Sequence, residues 1–350
     1  MKPYIIIRYF MLSLLSTVSL FSTLYEDAED GDTQGNTPAN VRGWFTYDAT
    51  PSGSTISNVY DAEKQSRVMQ FTSSGTSNGF MLGDWHPTSA GTWNNTTERY
   101  VHWCAKYTSN YTVYMRAYTS IDNGTYDGKQ RYIYYTAVDS DSGLSSNKDY
   151  IHHGIGTQRA NGEWHSVNRN LEADLDDYGI SGNNITSVVA FLTRGTGKMD
   201  DIYLTSQPLK PNIQLTKNST VIFDPINNTS NPKRIAGSVL EYTLKANNRG
   251  FGEATSGSVI IEDNIPIELK MCVADIGQCK KPFLASNSTY TLSMNQVEYK
   301  IGSTWSTNPT ADSEGYNSSV TAIKIPMDGV FPGYCGTERS FEIKFRMGLK

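Results

Sequence analysis

Three groups of side chains have the types and spacing to do chemistry: two adjacent acids, a set of tyrosines with an arginine among them, and two adjacent histidines. The acids are Asp200 and Asp201, in the strand-like run Lys198-Met199-Asp200-Asp201-Ile202-Tyr203-Leu204. Regular alternation puts Asp200 on the apolar face with Ile202 and Leu204, and Asp201 on the other face with Met199 and Tyr203. A carboxylate among core residues is costly unless it meets a cation, and no Lys or Arg stands close to it on that face in the sequence. Glu29, in the opening run Glu26-Asp27-Ala28-Glu29-Asp30-Gly31, is the complementary acid. If the first and last strands of one domain are neighbours, Glu29, Asp200 and Asp201 provide oxygen ligands for a structural calcium that ties the domain's ends together.

The tyrosines come from two strand-like runs. Val113, Met115 and Ala117 read as core, which leaves Tyr114, Arg116 and Tyr118 on the opposite face; Tyr132 and Tyr134 oppose Ile133 in the next run. If these strands, together with the run Arg99 to Tyr107, are adjacent, Tyr114, Arg116, Tyr118, Tyr132 and Tyr134 share one surface. Flat aromatic rings stack on the apolar faces of sugars while a guanidinium donates to hydroxyls, so this surface is a predicted glycan platform. The plainer reading is that tyrosine is a favoured strand residue. His152 and His153 follow at Tyr150-Ile151-His152-His153-Gly154. Neighbours on a strand face oppositely, so only one joins any site, and His153 is assigned to the tyrosine face. Either histidine, His153 or His152, would with Tyr114 and Arg116 supply the groups of a polyuronate lyase, but an acidic domain is a poor trap for a polyanion, and a structural or rim role for these histidines is the stronger expectation.

The elements that must position these groups are strands. Gly, Ser, Thr, Asn and Tyr are plentiful, turn clusters recur every ten residues or so, and only Leu171 to Tyr178 carries a helical spacing, so the fold class is all-β. At 350 residues the chain is long enough for two domains. Residues 1–24 have Lys2 and Arg8 ahead of an apolar run and read as a secretory signal peptide, with an uncleaved anchor as the alternative. Nothing later is apolar for long enough to span a bilayer, so no transmembrane span is expected in the mature chain. The linker is 207–210, in the proline-bearing Ser206-Gln207-Pro208-Leu209-Lys210-Pro211. Residues 25–206 hold 13 Lys and Arg against 22 Asp and Glu, a balance of −9, and residues 207–350 hold 15 against 13. An acidic first domain argues against nucleic acid as a partner.

Of four cysteines, Cys104, Cys272, Cys279 and Cys335, the pair Cys272 and Cys279 flank a short turn and are the expected disulfide in an oxidising compartment. Zinc is disfavoured because the half with three cysteines has no histidine. Several Asn-x-Ser/Thr triplets, at Asn110 and Asn218 among others, read as turns rather than glycan acceptors.

Two resemblances follow from these residues. An opening Glu29-Asp30-Gly31 and a closing Asp200-Asp201-Ile202-Tyr203-Leu204 resemble the end signatures of carbohydrate-binding-module jelly rolls, over about residues 25–206; the resemblance implies a jelly-roll β-sandwich with a structural calcium held by those acids. The run Pro211 to Lys217, then Asp224-Pro225, Gly237 to Leu244 with Asn247 to Gly250, and Val259 to Pro266, is similar to the "conserved repeat" domain of bacterial surface proteins. That family has no known molecular role, and the resemblance implies an Ig-like β-sandwich over 211–350. Together they imply a secreted or cell-surface, non-enzymatic bacterial protein that binds a polysaccharide or surface glycan through the jelly roll and presents it on an Ig-like spacer. A structural or adhesive component without a glycan ligand is the alternative, and a polysaccharide lyase a lesser one.

Overall fold

Apolar and polar residues alternate through most of the chain, and these stretches fold as strands in the computed structural model, which describes residues 5–8, 22–33, 43–83, 93–122, 129–178, 182–288 and 291–350. The fold is all-β. The described residues fall into two compact units, one within 17–209 together with 335–337, the other within 1–16, 210–334 and 338–350. Each is built from two sheets.

In the first unit a seven-stranded sheet runs in the order Gly143–Leu144, Tyr150–Gly154, Gln130–Thr136, Thr112–Thr119, Ile185–Arg194, Gly79–Gly83, Phe45–Asp48. All its pairings are antiparallel except Tyr150–Gly154 on Gln130–Thr136, which is parallel. The second sheet runs His165–Asn170, Tyr100–Tyr107, Gly197–Thr205, Ser66–Thr72, Thr55–Asp61, with Ser22–Glu26 added alongside Gly197–Thr205. Residues from the inner faces of both sheets, Val113, Met115, Ile133 and Phe191 from one and Val101, Trp103, Met69 and Leu204 from the other, close a common core. Tyr100–Tyr107 therefore lies in the other sheet and not beside Thr112–Thr119, which corrects the three-strand adjacency expected from the sequence. The helix Leu171–Tyr178 buries Leu171, Asp174 and Leu175.

The strand Gly197–Thr205 departs from regular alternation, with consequences for the acids. Its register against Tyr100–Tyr107 shifts between Asp200 and Tyr203, and Asp201 has φ 51, in the left-handed region that a side chain adopts at a cost. The bulge resets the side-chain phase: Met199, Ile202 and Leu204 all point into the core, while Asp200 faces outward opposite Cys104. The strand's first part pairs with Ser66–Thr72 and its second part with Ser22–Glu26. Asp200 is thus not on the face of Ile202 and Leu204, as alternation alone required.

In the second unit one sheet runs Ile213–Phe223, Val239–Asn248, Arg339–Leu349, Leu269–Cys272, Tyr316–Asn317, with Phe283–Asn287 on Arg339–Leu349. The other runs Ile5–Arg8, Val259–Asn264, Val320–Asp328, Glu298–Ile301, Thr304–Ser306, with Ser293–Met294 on Val320–Asp328. Leu244, Phe341, Ile343 and Phe345 meet Ile261, Ile323 and Ile325 in its core.

Residues 9–21, the apolar run of the expected signal peptide, lie outside the described residues. Ahead of it, Ile5–Arg8 pairs in parallel with Val259–Asn264; behind it, the first unit's sheet already begins at Ser22, inside the stretch assigned to the leader. Among the described residues, no helix is long and apolar enough to cross a membrane. Cys272 and Cys279 are bonded, as their spacing predicts, and Cys104 is bonded to Cys335, a pair 231 residues apart with no local signal in the sequence. Cys335 packs with Val68, Cys104 and Trp164 on the outer face of the first unit's second sheet.

Candidate functional site

Cross-strand register decides which side chains share a surface, and on the seven-stranded sheet it assembles an aromatic one. His152 is opposite Tyr134, Tyr134 opposite Tyr114, Tyr114 opposite Leu192, Leu192 opposite Met81, and Met81 opposite Phe45, a continuous row across six strands. In the next row Tyr150 is opposite Tyr132 and Tyr132 opposite Arg116. This is the face turned away from the core. Tyr114 and Tyr134 stack at 5.1 Å and Tyr132 and Tyr150 at 4.8 Å between ring centroids, while Tyr134 meets Tyr150 edge-on. Tyr114, Arg116, Tyr118, Tyr132 and Tyr134 lie on one surface.

A depression of about 430 Å³ opens on this surface, lined by Tyr47, Asp48, Tyr114, Tyr132, Tyr150, Leu192 and Arg194. Asp48 and Arg194 pair at 2.5 Å on its wall, and the Arg194 guanidinium lies 5.6 Å from the centre of the Tyr114 ring. Arg116 is a support beneath the surface and not a rim donor. Its side chain is buried, with Nη2 donating to the Gln130 amide oxygen at 2.5 Å and to the Tyr118 hydroxyl at 3.3 Å. Gln130 in turn donates to the Tyr132 hydroxyl. Burial pushes the Tyr114 phenol above its ordinary pKa, with Arg194 opposing, so it stays a neutral hydroxyl.

The histidine assignment is corrected. His153 points into the sandwich, is 1% exposed, and donates from Nε2 to the Asp174 carbonyl oxygen at 2.9 Å, with Nδ1 3.4 Å from Asp141 and the Tyr178 ring against it. His152 is the one on the tyrosine face, 4.7 Å from Tyr134 between centroids. Both its ring nitrogens are occupied: Nδ1 accepts from the Ser142 N–H at 2.8 Å, which leaves the Nε2 proton to donate to Thr136 Oγ1 at 2.6 Å. Burial lowers its pKa, with Asp141 opposing and His153 adding to the fall. A neutral imidazole tied at both ends is a scaffold more than a proton shuttle.

The acids also meet a partner that the sequence did not suggest. Lys64 lies in the turn after Thr55–Asp61; its ammonium contacts Asp200 and lies 2.6 Å from Asp201. The bulge turns both carboxylates toward it. Glu29 is engaged elsewhere, accepting from Ser66 Oγ at 2.6 Å and from the Arg67 N–H at 3.3 Å. Glu29, Asp200 and Asp201 therefore do not fit a calcium: an ammonium stands where the cation was expected. Buried close by, Glu26 accepts from Ala28 N–H and Trp44 Nε1–H, both at 2.7 Å, and burial raises its pKa to about 8, further raised by Asp30 and Asp200.

Among the described residues His153, Asp174 and Asp177 also converge. The Asp174 carboxylate is occupied, accepting from Tyr135 at 2.7 Å and Arg169 Nε at 2.9 Å, so the group serves to anchor the helix.

Tyr47, Asp48, Tyr150, Leu192 and Arg194 were missed as lining residues in the sequence. Tyr150 had a signal, since it shares a phase with His152 in the same strand. Asp48 and Arg194 had none, because they meet only through strands that both pair with Gly79–Gly83.

No family model matches the chain, and no curated protein matches it. Among solved structures, the glycoside hydrolase domain of Endo-D from Streptococcus pneumoniae R6 is similar at a TM-score of 0.25 and 11% identity, covering 93% of this chain and 43% of that one. The chain thus spans under half the length of that structure.

Proposed function

We propose that the first unit binds carbohydrate in the tyrosine-lined depression without transforming it. The observation that carries this is the depression itself: an open hollow on a sheet face, walled by four tyrosines and a leucine, with one ion pair at its edge. Aromatic walls take the apolar faces of sugar rings, and the phenol hydroxyls with the Asp48–Arg194 pair supply donors and acceptors for sugar hydroxyls. Support for binding without catalysis comes from His152, whose nitrogens are both committed to the scaffold. In this reading the chain is a secreted or surface protein, and the second unit is an Ig-like spacer that presents the binding module.

The test is a glycan array followed by calorimetry on the best ligand, with Tyr132→Ala, Tyr150→Ala and Arg194→Ala beside wild type. Each substitution should weaken binding about tenfold, the 1.4 kcal/mol expected of one stacking or charge-assisted contact. Tyr60→Ala, at an exposed tyrosine outside the depression, should leave it unchanged. A folded wild-type protein that binds no glycan sinks the reading.

A further inference from the structure

The cluster around Lys64 takes no part in the groove, yet it brings together three groups with a definite reactivity. Lys64 Nζ is in contact with one carboxylate, Asp200, and 2.6 Å from a second, Asp201. The lysine side chain is 4% exposed and that of Asp200 1%. The centre of the Trp164 ring lies 5.4 Å from the ammonium, and Gly336 packs so closely on the lysine stem that a Cβ there would clash with its Cγ. Backbone strain at Asp201, the left-handed residue of the bulge, is what aims both acids at one amine.

We propose that Lys64 and Asp200 condense into a side-chain amide, with Asp201 carrying the proton. Asp201 accepts one proton from the ammonium, and the freed amine attacks Cγ of Asp200. The C–N bond forms as one Cγ–O bond breaks. The departing oxygen takes the proton held by Asp201 and a second from the attacking nitrogen and leaves as water. One N–H remains on the amide and Asp201 returns to a carboxylate. The positive charge of Lys64 and the negative charge of Asp200 disappear together, and nothing is oxidised or reduced.

In water this condensation runs uphill because both ions are well solvated. Here the protein has already stripped that solvation, so joining the pair removes two costly buried charges. Fixed juxtaposition supplies an effective concentration on the order of 10⁵–10⁸ M for well-oriented groups. The molecule contains its own control. Lys217 and Asp263 form another largely buried pair, at 2.6 Å and reaching from one sheet of the second unit to the other, and no second carboxylate contacts that lysine among the described ion pairs. By this logic it stays an ion pair.

The experiment is peptide mapping by mass spectrometry of the folded, purified full chain after reduction and digestion. A branched peptide joining the Lys64 and Asp200 segments, lighter than their sum by one water, is the expected result, with Lys217 and Asp263 found only in linear peptides. Asp201→Asn should raise the unlinked share severalfold, and Asp200→Ala should abolish the branch and leave Lys64 unmodified. Wild-type protein in which Lys64 and Asp200 occur only in linear peptides overturns the bond and leaves a plain ion pair. Equal linkage at Lys217–Asp263, or an Asp201→Asn variant linked as fully as wild type, overturns the role of Asp201.

Discussion

At the scale of single residues, burial decides more than residue type. Glu26 has a folded pKa of about 8 against an ordinary 4.5, raised chiefly by burial. The folded state therefore holds a proton that the unfolded state has lost between those values. The stability this contributes is complete below pH 4.5 and is lost as pH rises through about 8. Denaturant midpoints of wild type should fall across that window, and Glu26→Gln, which keeps an acceptor oxygen without a charge, should flatten the fall. Equal slopes in the two proteins would show that Glu26 does not titrate there. Lys64 is the converse case. Lys64→Met leaves two acids facing each other without their cation and should cost about 3–5 kcal/mol, whereas Lys106→Met, at an exposed pair with Glu63, should cost under about 1 kcal/mol. The same dependence on surroundings limits what the sequence reveals. That one histidine only would join the tyrosines was legible from strand geometry. Which one was not, because the phase of Tyr150–Gly154 is fixed by its parallel register on Gln130–Thr136, a long-range pairing.

At the scale of elements, alternation was the dependable signal and the bulge its failure. The inward and outward sets of Thr112–Thr119 and Gln130–Thr136 could be written down from the sequence, because apolar residues at every second position must share the core. In Gly197–Thr205 the same rule misplaced Asp200, since one residue in a left-handed conformation shifts every side chain before it relative to those after it. No residue type announces that shift: Asp201 is not a glycine. The helix Leu171–Tyr178 was legible from Leu171 and Leu175, but its anchor was not. Asp174 holds Arg169 and the Tyr135 hydroxyl, two partners from outside the helix. Asp174→Ala leaves the buried Tyr135 hydroxyl and the partly buried Arg169 guanidinium without their carboxylate, and should destabilise the protein by about 2–3 kcal/mol while reducing amide-exchange protection first over residues 171–178. Protection lost evenly across the sandwich would show that the helix is not a separate unit of stability.

At the scale of the whole molecule, charge and cations distinguish the possible partners. Residues 25–206 carry a net −9, and Arg194, the arginine lining the groove among the described residues, is paired with Asp48. A polyanionic ligand would meet that charge with the groove's arginine already paired, so the glycan binding proposed above is best suited to an uncharged sugar and should be nearly independent of ionic strength. Moving from a Debye length of about 30 Å to about 8 Å screens long-range attraction, yet affinity for a neutral glycan should change less than about twofold, because stacking and hydrogen bonds are short-range. Affinity that drops steeply with salt would identify an anionic ligand instead. Lys64 gives a second readout on the same protein. With Lys64 filling the space between Asp200 and Asp201, as an ammonium or as the amide proposed above, a chelator should leave the melting temperature unchanged and added calcium should not raise it, since only a ligand that binds the folded state shifts that equilibrium. A fall on chelation, restored by calcium, would mean that a divalent ion is bound in the folded protein and that the ammonium is not its replacement.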